Sequence, residues 1–285
     1  GQLLSMDSGN LLPEELSSIL ERLRSDAMTM PMSQLIEVLA RNWGEGWNER
    51  FSRFSFEPLA AASIGQVHEA TCKKGRHLAI KVQYPGVRQS IDSDIDNVYS
   101  LLRMTGLIPK SLDLQPLLDE ARQQLKQEAD YRVEGAHLDV YRQYLKAFER
   151  NSDLLIPAYH AELSTTEILT MDYVVGDSLD SLRAMSTEKR TDIMSLIFSL
   201  FFAELFDFKC VQTDPNPANY LYQANNHKLV LLDFGAVRIF NPDFVHQYQN
   251  AMCAAIKQDR QGLDAALQEL GFFQSNMKVI NREVV

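Results

Sequence analysis

The sequence predicts an α+β protein in which a small antiparallel sheet comes first and a mainly helical part follows. Residues 51–83 contain short runs of alternating polarity, and Lys73–Gly75 has the composition of a hairpin turn. Residues 113–148 form one long stretch of helical periodicity. Beyond Ser186 the pattern is helical again, apart from a loop, a hairpin and a second loop within residues 211–240. This order predicts two lobes, which a chain of 285 residues is long enough to build.

Net charge and cysteine content narrow the classes of partner. The formal net charge of −10 disfavours duplex nucleic acid, because phosphate binding needs a basic face. Cys72, Cys210 and Cys253 have neither C-x-x-C nor disulfide-framework spacing, so we expect reduced thiols in a cytosol-like compartment. The six histidines lack the spacing of zinc ligands, so no metal cluster is expected.

The first 50 residues are predicted to be a helical extension. Pro13 suits a first helical turn. Apolar side chains recur around it at helical spacing, at Leu12, Leu16, Ile19, Leu20 and Leu23. The chain begins with GQLLSMD, without a secretory signal, and stops at NREVV. We therefore expect a fragment of a longer protein.

The most apolar run of the chain, Ile193–Phe208, is predicted to be a buried helix. A membrane-spanning helix needs about 20 mostly apolar residues. This run has only 16 residues and includes Glu204 and Asp207. Burial inside the helical part of the protein is therefore the better interpretation.

Three short motifs occur in the order that is typical of a bilobal protein-kinase-like fold. Lys81 lies in AIKV on the third predicted strand, from which a lysine reaches the α- and β-phosphates of a nucleotide. VQTDPNPANY supplies Asp214 and, five residues later, Asn219, which is the spacing of a catalytic loop. LLDFGAV places Asp233 in a D-F-G triplet after an apolar strand. A lone lysine on an edge strand is commonplace, but the ordered set predicts this fold.

The residue types in these motifs fit phosphoryl transfer with magnesium. Mg²⁺ prefers oxygen ligands, and Asp233 and Asn219 supply them. The carboxylate of Asp214 is expected to accept a proton from an acceptor hydroxyl or to orient a water. Lys81 needs a glutamate partner, and the residues alone leave three candidates open: Glu120, Glu128 and Glu134.

The alternating run over residues 154–179 predicts a strand pair that leads into an exposed connector, Tyr173–Gly176. The second strand is expected to end at Met171. Backbone groups of Asp172, Tyr173 and Val174 would then bind the adenine edge, with Met171 behind the base; a plain core role for Met171 is the alternative. The predicted domains are the extension (1–50), a first lobe with inserted helices (51–173) and a mainly helical second lobe (174–285).

Five segments together resemble the UbiB-like (ADCK, or aarF-domain) family of atypical protein-kinase-like proteins: AAASIGQVHEA, AIKVQYPGV, QEADYRVEGAH, QTDPNPANY and LLDFGA. The similarity covers nearly the whole chain. In that family an alanine-rich loop replaces the usual glycine-rich loop and restrains how ATP is held. Alanine resists the positive-φ conformations that glycine accepts, so the loop is expected to lie less closely over the phosphates.

The resemblance assigns roles to acidic residues of the long helical stretch. It makes Glu134 the partner of Lys81, and it makes Glu128 and Asp130 the family's regulatory E-x-D pair. On a continuous helix Asp130 and Glu134 share a face and Glu128 turns away from Glu134. Gly1 and Gln2 are what remains here of the family's K-x-G-Q motif, whose lysine does not appear.

The resemblance also implies a nucleotide site for ATP or ADP, with Mg²⁺ held by Asn219 and Asp233 and with catalysis by Asp214, Lys81 and Glu134. The residues expected around the nucleotide come from the alanine-rich turn, its flanking strands, the lysine strand and the connector: Ala60, Ala61, Ala62, Ser63, Ile64, Gly65, Val67, Ala79, Lys81, Met171, Asp172, Tyr173 and Val174.

The function that the resemblance implies is Mg²⁺-dependent ATP chemistry in support of ubiquinone or another isoprenoid quinone. The reaction is expected to be slow ATP hydrolysis or transfer to a small or lipid-like molecule. Expected partners are quinone precursors or lipid and quinone-biosynthesis proteins, in the cytoplasm or at the inner membrane face. Gln212 and Thr213 stand where a protein kinase has H-R, and no A-P-E follows, so phosphorylation of proteins in trans is disfavoured.

Two other functions stay open. One is a nucleotide-gated scaffold that organises biosynthetic partners while turnover is incidental. The other is a cytosolic small-molecule kinase of the aminoglycoside or choline type, which shares the spacing of Asp214 and Asn219 but does not predict the alanine-rich loop or the E-x-D helix.

Overall fold

The computed structural model describes residues 29–62, 64–104, 115–214 and 216–272. The predicted helix around Leu12–Leu23 and the K-x-G-Q remnant at Gln2 lie outside the described residues, as does Ser63. By its contacts the chain divides into two compact units. The first comprises Gly1–Arg142, Ile156–Gly176 and Val230–Gly235, and the second comprises Gln143–Leu155, Asp177–Leu229 and Ala236–Val285.

The described α-helices are α1 (Met32–Trp43), α2 (Val87–Met104), α3 (Gln115–Glu128), α4 (Tyr131–Tyr144), α5 (Thr187–Phe202), α6 (Pro242–Ile256) and α7 (Arg260–Glu269). A π-helical segment, Ala203–Phe208, continues α5. Short 3-10 helices cover Trp47–Arg50, Leu145–Ala147, Asn151–Asp153, Ala161–Leu163, Leu179–Ala184 and Pro217–Asn219.

The described strands are β1 (Phe51–Ala61), β2 (Gly65–Cys72), β3 (His77–Gln83), β4 (Leu154–Leu155), β5 (Ile168–Asp172), β6 (Asp177–Ser178), β7 (Cys210–Gln212), β8 (Tyr220–Gln223), β9 (Lys228–Leu231) and β10 (Val237–Ile239). A small antiparallel sheet first and a mainly helical part afterwards is the predicted order, and the α+β class is confirmed.

The first unit is built on an antiparallel sheet with the strand order β1-β2-β3-β5. The predicted turn at Lys73–Gly75 joins β2 to β3, and Gly75 has the φ of +79° that favours glycine. One face of the sheet packs against α1, whose Leu35, Val38 and Leu39 share a core with apolar residues of β3. The helix thus covers the strand that carries Lys81.

The predicted continuous helix over residues 113–148 is wrong at one point. The chain leaves the helix after Glu128 and begins α4 at Tyr131. Asp130 causes the break, because its side chain accepts the N–H of Arg132 at 3.1 Å and so caps the start of α4. Glu128 and Glu134 therefore lie on separate helices, and the face argument from a continuous helix does not apply.

The strand pair predicted over residues 154–179 is confirmed only in part. Tyr159 forms an isolated antiparallel bridge with Met171 of β5, but β4 does not pair with β5. Leu154–Leu155 belongs to a sheet with the order β4-β9-β8-β6, whereas Ile168–Asp172 pairs with β3. The second strand ends at Asp172 rather than Met171. Alternating polarity marks each strand but says nothing about which partner it finds.

The later part of the chain contains the predicted hairpin, β8 and β9, and a short strand pair that the sequence did not reveal. Cys210–Gln212 pairs with Val237–Ile239, where loops were predicted, because strands of three residues are too short to show a period. Cys72 and Cys210 are buried and Cys253 is exposed, and none of these forms a disulfide within the described ranges.

The run Ile193–Phe208 is helical as predicted, but it is not buried throughout. Ile193, Leu196 and Leu200 face the core. Met194 and Phe198 lie on the other side of α5, with exposed fractions of 45% and 58%. A helix that is apolar on every side carries no pattern that shows which face packs, and this is why the prediction of full burial is wrong. Within the described residues, no helix is both long enough and apolar enough to cross a membrane.

Candidate functional site

The most prominent polar cluster of the first unit joins Lys81, Glu134 and Asp233. The Lys81 Nζ lies 3.1 and 3.0 Å from the two carboxylate oxygens of Glu134 and 3.0 Å from Asp233 Oδ2. The Lys81 and Glu134 side chains are 7% and 2% exposed, whereas that of Asp233 is 30% exposed. One buried ammonium thus holds two carboxylates, and only Asp233 is open to solvent.

Each member of this cluster is positioned by a regular element. Lys81 lies in the middle of β3, paired with Val67 on β2 and Leu169 on β5. Glu134 lies in the first turn of α4. Asp233 follows the buried strand β9 and accepts the N–H of Gly235 through Oδ1 at 2.9 Å.

Gly235 lies close to two of these carboxylates. A Cβ there would lie 3.2 Å from Asp233 Oδ1 and 3.6 Å from Glu134 Oε2. A larger residue would press on Asp233, so glycine keeps the turn after this aspartate compact.

The charged groups in the cluster shift one another's pKa values. Burial alone would lower the pKa of Lys81, but Asp233 and Glu134 outweigh it and raise that pKa well above its usual range. Burial, helped by the nearby Asp233, raises the pKa of Glu134 to about 7. Burial also opposes ionisation of Asp233, but the Lys81 ammonium and the Gly235 N–H hold its pKa below the usual range.

Aromatic side chains form the wall beside the cluster. The Lys81 Nζ lies 5.0 Å from the centre of the Tyr131 ring, a cation–π distance. The Tyr131 hydroxyl is buried and has no hydrogen-bond partner in the part of the chain that the structure describes. Phe234 is fully buried against Tyr141, and its carbonyl oxygen lies 3.0 Å from His137 Nδ1. This packing fixes the residue that follows Asp233.

The alanine-rich turn closes the β1–β2 hairpin. Ala60 and Ala61 end β1, opposite Val67 and Gln66, and the N–H of Ala62 donates to the carbonyl of Gly65 at 2.8 Å. A Cβ on Gly65 would lie 2.2 Å from the carbonyl oxygen of Val82. Glycine is therefore required here by the closeness of β3, which is a structural reason independent of any phosphate.

The last residues of β5 and the first residue of the connector after it form hydrogen bonds within the protein. Met171 is buried and pairs with Ala79 on β3. The N–H of Asp172 donates to the carbonyl of Ala158, and the N–H of Tyr173 donates to that of His77, both at 3.0 Å. Of the three predicted base-binding residues, Val174 is thus the candidate N–H donor.

The E-x-D residues do not join the lysine cluster. Asp130 lies 3.5 Å from Arg88 and 3.3 Å from Arg132, in ion pairs on the helical side of the first unit. Glu128 ends α3. Of the three glutamates left open by the sequence, the structure brings only Glu134 to Lys81.

In the second unit, Asp214 and Asn219 lie together. The Asn219 Nδ2 donates to Asp214 Oδ2 at 2.9 Å, and the side chain of Gln212 donates to the Asp214 carbonyl at 2.8 Å. Thr213 donates its N–H and its hydroxyl to the carbonyl of Ala236, at 2.8 and 2.9 Å. The predicted loop is therefore a compact hydrogen-bonded turn.

Sequence reasoning missed two residues beside these groups. In the sequence, Tyr131 stands out only as a member of the QEADYRVEGAH segment. Glu204 was noted only as a charge inside an apolar run, although it is 4% exposed and accepts the N–H of Gln212 at 3.3 Å. A signal for Glu204 was available, because a carboxylate inside an apolar helix needs a polar partner.

Comparisons with known proteins point the same way as the motifs. Residues 22–267 match the model of the ABC1 atypical kinase-like domain. Atypical kinase COQ8, mitochondrial, of Saccharomyces cerevisiae is 40% identical over 275 residues, covering 95% of this chain and 54% of the relative. Atypical kinase COQ8B, mitochondrial, of Rattus norvegicus is 38% identical, covering 95% of this chain and 51% of the relative. The chain thus spans about half the length of these curated relatives.

A solved structure supports the fold. The complex of Rv3197 with erythromycin from Mycobacterium tuberculosis matches with a TM-score of 0.72 and 28% identity, over 99% of this chain and 71% of that one. Together with the domain match, this similarity confirms the predicted protein-kinase-like fold.

Proposed function

The chain belongs to the ABC1 atypical kinase-like domain family, and we propose that it binds ATP with Mg²⁺ and catalyses phosphoryl transfer. The observation that carries the proposal is the cluster of Lys81, Glu134 and Asp233. A buried lysine fixed by a helix glutamate, next to an aspartate that is open to solvent, is the arrangement that kinase-like enzymes use to hold a nucleotide.

Lys81 would bind the α- and β-phosphates. Its ammonium stays protonated because two carboxylates hold it, so it presents a permanent positive charge to a polyanion. Glu134 and the Tyr131 ring restrict its direction, so little side-chain freedom is lost when a phosphate binds.

The charge of the cluster suits a divalent cation. Two carboxylates against one ammonium leave an excess of negative charge, and the exposed member is Asp233. Asp233 offers carboxylate oxygen, and Asn219 offers its amide oxygen because its Nδ2 already donates to Asp214. These hard donors fit Mg²⁺, and we assign both residues as its ligands. When bound, the ion would neutralise phosphate charge and polarise the transferred group.

Asp214 would act on the acceptor. The amide of Asn219 occupies its Oδ2, and Gln212 and Asn219 hold its carbonyl. We assign Asp214 to accept a proton from an acceptor hydroxyl or to orient a water, because a fixed carboxylate is suited to either role.

The adenine and phosphate ends have further candidate contacts. Val174 would donate its N–H to the base, with the buried Met171 behind it. The Ala60–Ala62 turn would lie over the phosphates, held back by its Cβ atoms. The other residues predicted to contact the nucleotide keep that assignment as part of the proposal, except that the N–H groups of Asp172 and Tyr173 already donate within the protein.

The family membership supports a proposal for the acceptor class. The relatives are named atypical kinases and are mitochondrial. We propose that turnover supports isoprenoid quinone biosynthesis through hydrolysis of ATP or transfer to a small or lipid-like acceptor, in contact with quinone-biosynthesis proteins or lipid. The chain's Gln212–Asp214 sequence, without H-R, disfavours peptide substrates.

The test is ATP binding and hydrolysis with Mg²⁺ by the wild type and by Asp214→Asn, with Asp207→Asn as a control. Asp207 is an exposed carboxylate on the π-helical segment, so its loss makes the same charge change away from the loop. We expect Asp214→Asn to bind ATP with unchanged affinity and to hydrolyse it about 100-fold more slowly. An unchanged rate would exclude Asp214 as the group that acts on the acceptor.

A further inference from the structure

Glu204 is a buried carboxylate that has no part in the proposed nucleotide site. It lies in the π-helical segment Ala203–Phe208 that continues α5, ten residues before Asp214. Its side chain is almost completely buried. π-Helical turns are rare and occur frequently at functional sites, because they shift a side chain out of the regular helical register.

Glu204 is hydrogen-bonded to both ends of the short segment 209–212 that leads into the loop. Its backbone carbonyl accepts the N–H of Lys209, which has a left-handed conformation with φ of 54°. Its side-chain Oε2 accepts the N–H of Gln212 at 3.3 Å. Lys209 follows the π-helical segment and Gln212 is the last residue of β7, so Glu204 is hydrogen-bonded to both ends of the segment 209–212.

The hydrogen bonds continue from Gln212 to the proposed catalytic carboxylate. The Gln212 Nε2 donates to the carbonyl of Asp214 at 2.8 Å. The neighbouring Thr213 donates its N–H to the carbonyl of Ala236. Gln212 is therefore held by Glu204 through its backbone and holds Asp214 through its side chain.

The surroundings of Glu204 indicate that its carboxyl group is neutral at pH 7 when it accepts the hydrogen bond from Gln212. Burial raises the pKa of Glu204 to about 8, although the N–H of Gln212 opposes the shift. Tyr220 is an ionisable group near Glu204, since burial together with the charges of Glu204 and Asp214 raises the pKa of Tyr220 to about 12. A neutral carboxyl accepts an N–H through its carbonyl oxygen, and a glutamine side chain can do the same.

We propose that Glu204 is a positioning residue for phosphoryl transfer, which holds Asp214 in its working place through Gln212. The proposal rests on the proposed function, because it assumes that Asp214 acts on the acceptor. A purely structural role for Glu204 would change stability without separating kcat from KM, and this difference makes the two roles distinguishable.

The experiment compares Glu204→Leu, Glu204→Gln and Gln212→Ala with wild type at pH 7. Leucine removes the hydrogen-bond acceptor at similar side-chain volume, whereas glutamine keeps an acceptor. Gln212→Ala removes the hydrogen bond from the Gln212 side chain to the Asp214 carbonyl and leaves the buried Glu204 carboxyl in place. Asp207→Asn is the matched control on the same π-helical segment. The measurements are kcat and KM for Mg²⁺-ATP hydrolysis and amide hydrogen exchange of peptides that cover residues 209–220.

We expect Glu204→Leu and Gln212→Ala to lower kcat about tenfold or more with KM for ATP changed less than about twofold. Glu204→Gln and Asp207→Asn should stay within about twofold of wild type in both constants. Exchange of the 209–220 peptides should be faster in Glu204→Leu and unchanged in Glu204→Gln. Wild-type kcat in Glu204→Leu, or equal losses in the leucine and glutamine variants, would overturn the proposal.

Hydrogen exchange distinguishes failure of the proposed positioning role from failure of the proposed function itself. If the wild type does not hydrolyse ATP, the proposed function is excluded, and so is a role of Glu204 in catalysis. Amide hydrogen exchange of the 209–220 peptides then still shows whether Glu204 stabilises the loop. Unchanged exchange in Glu204→Leu would exclude this structural role. Faster exchange would show that Glu204 stabilises the loop without a role in turnover.

Discussion

The ammonium of Lys81 lies 3.0 Å from the Glu134 carboxylate, and both side chains are buried between strand β3 and helix α4. Charges that are removed from water in this way must stay paired, since a single buried charge costs far more than the pair. The contact also fixes the direction of the one cation in this cluster.

Lys81→Met should destabilise the first unit, because it leaves Glu134 and Asp233 facing each other without a cation. We expect a loss of about 3 kcal/mol in the free energy of unfolding, measured with denaturant at pH 7.5. Lys74→Met changes an exposed lysine of the β2–β3 turn and should shift the same quantity by less than about 0.5 kcal/mol. Equal unfolding free energies for the two variants would contradict the structural importance of the cluster.

Gly65→Ala should damage the hairpin that carries the alanine-rich turn. The new Cβ would lie 2.2 Å from the carbonyl oxygen of Val82, so backbone must move, and we expect a cost of about 2 kcal/mol in unfolding free energy. Gly46→Ala is the control, since a Cβ there meets its nearest atom, on Glu49, at 4.0 Å. If both variants melt alike, β2 and β3 do not approach as closely as described.

Glu204 predicts a pH dependence of stability. Its pKa is raised in the folded protein to about 8 from an ordinary value of 4.5, so the folded state binds the proton more tightly than the unfolded state. Its favourable contribution is complete below pH 4.5 and is lost as the pH rises through 8. Relative to Glu204→Gln, the wild type should therefore lose on the order of 3 kcal/mol in unfolding free energy between pH 5 and pH 9.

The measurement is denaturant unfolding of both proteins across that range, with Asp207→Asn as a second reference. A difference between wild type and Glu204→Gln that stays constant from pH 5 to pH 9 would show that Glu204 is not buried as a neutral acid.

The two faces of α5 should respond differently to substitution. Leu196→Ala removes a buried side chain and should cost about 3 kcal/mol in unfolding free energy. Phe198→Ala removes a larger side chain that is mostly exposed, and its cost should stay below about 1 kcal/mol. A larger loss of unfolding free energy for Phe198→Ala than for Leu196→Ala would contradict the described exposure of Phe198 and favour the fully buried helix that the sequence predicts.

Much of the fold could be predicted because its patterns are local. Strands β1–β3 alternate in polarity around a glycine turn, and α6 and α7 have clear helical spacing. The break between α3 and α4 was missed because Asp130 is compatible with a helix interior as well as with a cap. The pairing of β7 with β10 was missed because it joins segments far apart in sequence, each of three residues.

The candidate site residues that lie in sequence motifs of fixed spacing could be picked out from the sequence. Lys81, Asp214, Asn219 and Asp233 were located by their neighbours in sequence. The choice of Glu134 over Glu120 and Glu128 needed the family resemblance, because each is a carboxylate on a helix. Tyr131 and Glu204 escaped because their importance arises from burial beside a charge or a loop, which spacing does not reveal. Their roles and those of the motif residues toward the nucleotide stay predictions.

Calorimetric titration of ATP, with and without Mg²⁺, into the wild type and Asp233→Asn tests the central claim most directly. The account predicts that the wild type binds ATP at least about tenfold more tightly with Mg²⁺, and that Asp233→Asn loses this dependence while its fold, measured by circular dichroism, is retained. A wild type that binds no ATP, or an Asp233→Asn protein with the full Mg²⁺ dependence, would contradict it.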